Sequence, residues 1–389
     1  MTLHETTVLL RKTGISVGIG VGVIIVIVIL VRIGFTVKDT LYPPVMAPPT
    51  EKFGKAPPYQ FPDTQPNVNL TYTLETLTGE LPATLADEKT PIPDRLSIFP
   101  IIHSTPNFLN LDKVKRKVEA LEFTSTDEKV PPEILLSNPY YEWDEPGGFN
   151  RKIIFNINSF DFKMTSNYLS FLTVLSAQHI SDQQGAIDTA QNFLSSMGLT
   201  PKDLDTKKTS DKDYPGPYVT YPQLFSIQNN GQENNLVETN SLSRAQVIRV
   251  DFYQKDLEYD LDIGGAEYNI KKVHVSIPII YPHPPYSTMS FWVASGERGL
   301  QVTQAFFTHK DIDLTDATAT YAIKTPTEAF EELKGGKAYI AAHNGTDNNI
   351  SITKVYLAYY ISEDVQDYVM PVYVFQGKNG FFAYVPAIK

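Results

Sequence analysis

The chain has 389 residues, of which 42% are hydrophobic and 20% charged, an ordinary globular composition. Its formal net charge of −11 argues against a nucleic-acid partner and against adsorption to anionic lipid, both of which need a basic surface. With no cysteine, it has no disulfides, thiolate metal sites or cysteine nucleophiles.

Residues 1–13 read as a short basic tail. From Gly14 to Val31 no residue is charged, and Val and Ile dominate. Ile33 to Val37 extend the run if Arg32 reaches the headgroups. This predicts a transmembrane signal anchor over residues 14–37. No small-x-small site follows, so the anchor is expected to stay uncleaved. Arg11 and Lys12 before the run nearly balance Arg32 and Lys38 after it. The short tail is assigned to the cytoplasm and the remaining chain to the extracytoplasmic side of a bacterial cell membrane. Gly14, Gly18 and Gly22 share one helix face, as a dimer face and homodimer require, although glycine is also common in membrane helices without one.

Residues 38–68 carry Pro43, Pro44, Pro48, Pro49, Pro57, Pro58, Pro62 and Pro66. Proline fixes φ and removes donors, so this stretch reads as an extended, semi-rigid spacer. Beyond it three divisions are expected: an N-terminal α+β domain over 69–180, a middle unit over 181–317 and a C-terminal unit over 318–389.

Asn110 reads as the cap of a first helix, with Leu111, Val114, Val118 and Leu121 on one face. Strands follow at 140–143, 149–157 and 161–169. Ser181 and Gln184 suggest a capping box for a second helix, whose apolar stripe is Ile187, Ala190, Phe193, Leu194 and Met197, with Gly198 at its end. An Asn-rich loop is expected over 226–243. Strands resume at 245–253, 258–263, 274–280, 288–294 and 301–308. Thr325, Pro326 and Glu328 open a third helix that Gly335 and Gly336 stop. Strands at 337–342, 350–361, 368–376 and 380–385 complete the chain, the last two as a hairpin. A helix followed by hairpin-linked strands, three times over, predicts an α+β fold with helices on antiparallel sheets.

The last of these groups resembles a known family. Its helix opens with Thr325-Pro326-Thr327-Glu328-Ala329-Phe330. Strands follow from Ile352 to Tyr360, from Tyr368 to Phe375 and from Gly380 to Val385. This stretch is similar to the C-terminal part of the YycH/YycI family, membrane-anchored regulators of a bacterial sensor kinase, and to PepSY-type modules. The resemblance implies an ectodomain of repeated PepSY-like units, with residues 181–308 as a related repeat, and a role in protein–protein regulation. It brings no catalytic residues.

Motifs for chemistry are scarce. The seven histidines include no HExxH or other close metal-spaced pair. Asp256, Glu258, Asp260 and Asp262 alternate with apolar residues and share one strand face, as a calcium or basic-partner surface would, or simply a solvated edge. Asp311 to Asp316 resembles a calcium loop, but lacks the required glycine and the twelfth-position acid. Ser351 and Lys354 match S-x-x-K, yet in a strand they face opposite ways. Tyr281, Tyr286, Phe291 and Trp292 cluster about a Pro-rich loop and form a candidate partner surface, although half-buried strands also favour such rings. The expected function is a non-enzymatic, cofactor-free module that binds a protein partner, with a sensor kinase or protease as regulated target. A structural or adhesive envelope protein and a hydrolase with an unrecognised site remain open.

Overall fold

The computed structural model describes residues 28–29, 31–32, 48–62, 70–86, 88–104, 109–125, 139–177, 180, 182–205, 223–263, 272–315, 317–345 and 347–389. The chain divides into two compact units. One comprises Met1–Pro48 with Asp262–Val273, the other Pro49–Leu261 with His274–Lys389. Of the first, only residues 28–29, 31–32, 48, 262–263 and 272–273 are described.

In chain order the strands are β1 (Thr71–Leu74), β2 (Arg95–Ser97), β3 (Phe99–Pro100), β4 (Thr124–Ser125), β5 (Tyr140–Asp144), β6 (Lys152–Asn156), β7 (Phe162–Thr165), β8 (Gln223–Asn229), β9 (Asn234–Glu238), β10 (Val247–Asp251), β11 (Leu257–Asp262), β12 (Lys272–Ile277), β13 (Ile279–Ile280), β14 (Met289–Gly296), β15 (Gly299–Phe307), β16 (Thr320–Ala322), β17 (Tyr339–Ala342), β18 (Asn349–Tyr360), β19 (Tyr368–Gly377) and β20 (Phe382–Pro386). The helices are α1 (Leu109–Glu119), α2 (Leu172–Leu175), α3 (Gln183–Ser196) and α4 (Pro326–Lys334).

A nine-stranded antiparallel sheet runs β4-β5-β6-β7-β15-β14-β10-β8-β9. Period-two alternation gives it two unlike faces. Trp143, Ile153, Phe155, Met164, Ile248, Val250, Phe291 and Ala305 point to one face, where Val114 and Val118 of α1 and Ala186, Ala190, Phe193 and Leu194 of α3 bury them. On the opposite face, Val247 and Ala294 pack with Phe149, Tyr168 and Val174 near α2. Among the described residues, the rest of that face carries no α-helix.

The seven-stranded sheet runs β1-β18-β19-β20-β17, with β13 beside β18 and β3 beside β19. Strands β1 and β13 pair with β18 in parallel, and the other pairs are antiparallel. Helix α4 covers one face, its Phe330 ring 5.9 Å from that of Phe375. Tyr339, Tyr356, Tyr360 and Tyr384 fill the other. Tyrosine can lie this deep when its hydroxyl has a partner. Tyr384 donates to the Tyr281 carbonyl at 2.9 Å and Tyr339 to the Pro282 carbonyl at 3.1 Å. On the helix side of the sheet, Tyr373 donates to the Lys324 carbonyl at 2.7 Å.

These findings correct several expectations. Among the described residues the fold is strand-dominated, and repeated helix-plus-sheet units of PepSY type are absent. The helices at 109–119 and 183–196 pack on the same nine-stranded sheet, whose strands come from both sides of residue 181. Strands that close one common sheet do not form separate repeats. The transmembrane anchor is also corrected. Spanning needs about 20 successive apolar helical residues, and no helix among the described residues is long and apolar enough. Of residues 14–37 only Val28, Ile29, Val31 and Arg32 are described. A single-pass membrane protein, the membrane as partner, a cytoplasmic N-terminus and an extracytoplasmic domain therefore lose the helix on which they rested. Gly14, Gly18 and Gly22, and with them the dimer face, lie outside the described residues, as do 38–47 and 63–68 of the spacer.

The described part of that spacer is packed. Phe61 stacks on Tyr339 at 5.1 Å, Tyr59 Oη donates to the Pro371 carbonyl at 2.6 Å, and the Phe53 amide donates to Tyr321 Oη at 3.0 Å. The loop expected over 226–243 contains most of the β8–β9 hairpin. The second helix is capped by Asp182, which accepts from the Gln184 amide, whereas Ser181 lies outside the described residues. Asn110 lies inside the first helix rather than at its cap. The capping box at Thr325 and Glu328 is present as expected.

Candidate binding groove

Strand β10 reads Val247-Ile248-Arg249-Val250-Asp251. Its alternation sends Ile248 and Val250 to the helix-covered face and leaves Arg249 and Asp251 on the other. Arg249 lies opposite Trp292 of β14. The guanidinium carbon is 4.6 Å from the Trp292 ring centroid and 3.8 Å from that of Tyr286, so Arg249 is clamped between two aromatic faces. Its Nη2 donates to Asp251 Oδ1 at 2.9 Å, and its Nε lies 2.9 Å from Oδ2. Asp251 is 1% exposed and also accepts from the Ser287 amide at 3.2 Å. Burial pushes this carboxyl above its usual range, while the Arg249 charge and hydrogen bond pull it back.

The row continues across the sheet. Trp292 meets Phe306 of β15 edge-on at 5.6 Å. Lys163 of β7 lies opposite Phe306 and sets its ammonium 5.2 Å from that ring's centroid. Ile154 of β6 lies opposite Lys163, and Tyr140 of β5 is 58% exposed at the far end. These side chains line a cavity of about 740 Å³ on the face opposite α1 and α3. His283 and Tyr286 of the β13–β14 loop, with Glu363 of the β18–β19 loop, complete its wall. Tyr253 Oη anchors the first of these loops by donating to the Pro285 carbonyl at 2.6 Å.

The four aromatic residues singled out in the sequence are therefore divided. Tyr286 and Trp292 meet in the groove. Tyr281 is buried elsewhere, its hydroxyl accepting from the Gln254 amide at 3.0 Å, and burial raises its phenol. Phe291 lies on the helix-covered face against Phe252 at 5.5 Å. Arg249 and Lys163 were not singled out. Opposite charges two residues apart within the apolar Val247–Asp251 run are the signal that points to Arg249.

A second polar cluster surrounds His309. Its Nε2 lies 2.7 Å from Asp203 Oδ1, and Asp203 Oδ2 accepts from Gln254 Nε2 at 2.7 Å. Lys310 Nζ lies 3.8 Å from Asp161 Oδ2. Burial acts to raise Asp203, but the His309 and Gln254 contacts outweigh it and hold the carboxyl below its usual range. No hydroxyl hydrogen-bonds to His309 among the described residues. His274 Nδ1 lies 3.1 Å from Asp260 Oδ1 on an exposed strand. Strand β11 alternates as expected, with Leu257, Tyr259 and Leu261 buried and Glu258 and Asp260 exposed. No group of three or more His, Asp or Glu is placed to hold a metal ion among the described residues. Ser351 and Lys354 lie in β18, so the S-x-x-K pair is not on a helix.

No family model matches the chain, and no curated protein matches it. Among solved structures, the crystal structure of an uncharacterized protein from Eubacterium rectale ATCC 33656 aligns over 82% of this chain and 89% of that one. The identity is 11% and the TM-score 0.30, too low a similarity to carry an argument.

Proposed function

We propose that the chain is a non-enzymatic binding module that takes a segment of a protein partner into the groove beside Arg249. The observation that carries this reading is the groove's span. Its lining runs from Tyr140 on β5 to Arg249 on β10, across β6, β7, β15 and β14. At about 4.8 Å per strand that is roughly 24 Å, the length of about seven extended residues. A slot of this kind suits a peptide better than a compact metabolite. Arginine, tryptophan and tyrosine are also the residues that most often dominate protein interfaces. The resemblance of residues 325–385 to the YycH/YycI family supports a regulatory use of such binding.

Site-specific photocrosslinking in native cells tests this. A photoreactive residue replacing Tyr286 should capture a discrete protein, and Trp292→Ala should abolish the capture. The same probe at Glu119, on the helix-covered side, should not capture it. Equal capture from both positions, or none from Tyr286, would overturn the reading.

A further inference from the structure

We propose that the groove selects a dipolar segment, in which an apolar side chain lies between an acidic and a basic residue. This rests on the binding reading above and names its occupant. Ile154, Trp292 and Phe306 offer the apolar floor. Most charges around it are already committed. Arg249 is held by Asp251, and Asp161 faces Lys310. Two charged lining residues have no ion-pair partner among the described residues, Lys163 and Glu363. They come from different sheets, Lys163 from β7 and Glu363 from the loop after β18, and do not pair with each other. The Phe306 ring stabilises the Lys163 ammonium without neutralising it. An unpaired cation and an unpaired anion on one slot complement an occupant carrying both charges. A uniformly acidic or basic segment would satisfy one and be repelled by the other.

The test uses four acetylated, amidated heptapeptides sharing a Leu-Phe-Leu centre. Their flanks are two glutamates and two lysines, glutamates only, lysines only, or glutamines only. Trp143 is fully buried and Trp292 lines the groove, so binding to the full chain is read as a change in Trp292 emission and confirmed by calorimetry. At low salt the dipolar peptide should bind about five-fold more tightly than the glutamine peptide, the size of one favourable exposed ion pair. The advantage should shrink as salt rises. Lys163→Glu should move the preference to the lysine peptide, and Glu363→Lys should move it to the glutamate peptide. The double reversal should restore preference for the dipolar peptide. Both side chains are exposed, and circular dichroism will show that the variants fold. An unchanged ranking in both single variants would overturn the dipolar selection and leave the groove as a peptide site. No response to any peptide, together with no capture from Tyr286, would overturn both.

Discussion

Arg249 combines a stacked guanidinium with a paired one, and lysine can supply neither geometry. Its side chain is 12% exposed and that of Asp251 2% exposed, so removing either partner leaves a buried charge. Arg249→Ala should destabilise the protein by about 3–5 kcal/mol. Arg249→Met with Asp251→Leu should cost less than Arg249→Ala alone, and urea unfolding will compare them. Asp203 makes a pH-dependent contribution. A carboxyl held below its usual range contributes stability that is present above its unfolded value of about 3.9. That contribution is lost as pH falls through the lower folded value. Asp203→Asn should lower the urea midpoint at neutral pH and flatten its fall in acid. The site itself was half legible in the sequence. Rings crowded about Pro282, Pro284 and Pro285 pointed to Tyr286 and Trp292. Lys163 was not legible, because its place depends on the pairing of residues 162–164 with 305–307, which no local pattern encodes.

Helix α4 is the element that its sequence specifies most completely. Thr325 accepts from the Glu328 amide, and Glu328 accepts in return from the Thr325 amide. Thr325→Ala should cost about 1 kcal/mol. The Thr325 amide and hydroxyl hold the Glu328 carboxyl below its usual range. Its contribution is therefore present at neutral pH and lost as pH falls through the folded value, and Glu328→Gln should remove that acid dependence from the thermal melt. Period-two patterning likewise made most strands legible, including β14, where Met289 and Phe291 face the helices while Ser290 and Trp292 face the groove. Truncating Phe291, fully buried against Phe193 and Phe252, should cost about 3–5 kcal/mol. The β8–β9 hairpin was missed because asparagine is depleted in strands. Here neighbouring strands hold it, with Gln223 to Phe225 paired along β10. Which helices would share a sheet was also not legible. Amphipathic stripes show that a face is buried, but not against which strands.

On the scale of the molecule, residues 49–62 belong to the second unit rather than to a spacer. Deleting residues 1–62 should lower the melting temperature relative to deleting 1–48, because Phe53, Tyr59 and Phe61 would leave the aromatic face of the seven-stranded sheet uncovered. The same sheet pairs Thr71 with Asn349, and the nine-stranded sheet pairs Phe162 with Phe307. Both sheets are thus closed by contacts far apart in sequence, which slows folding. During synthesis β5, β6 and β7 leave the ribosome as a meander, with one side of β7 open until residue 305 follows. At about 5–20 residues per second that interval lasts on the order of ten seconds. The groove cannot exist before it ends, since Lys163 lies on the early meander while Trp292 and Phe306 arrive with the late strands. A nascent chain therefore lacks the proposed binding groove, and a product truncated before β15 would expose a bare strand edge on β7.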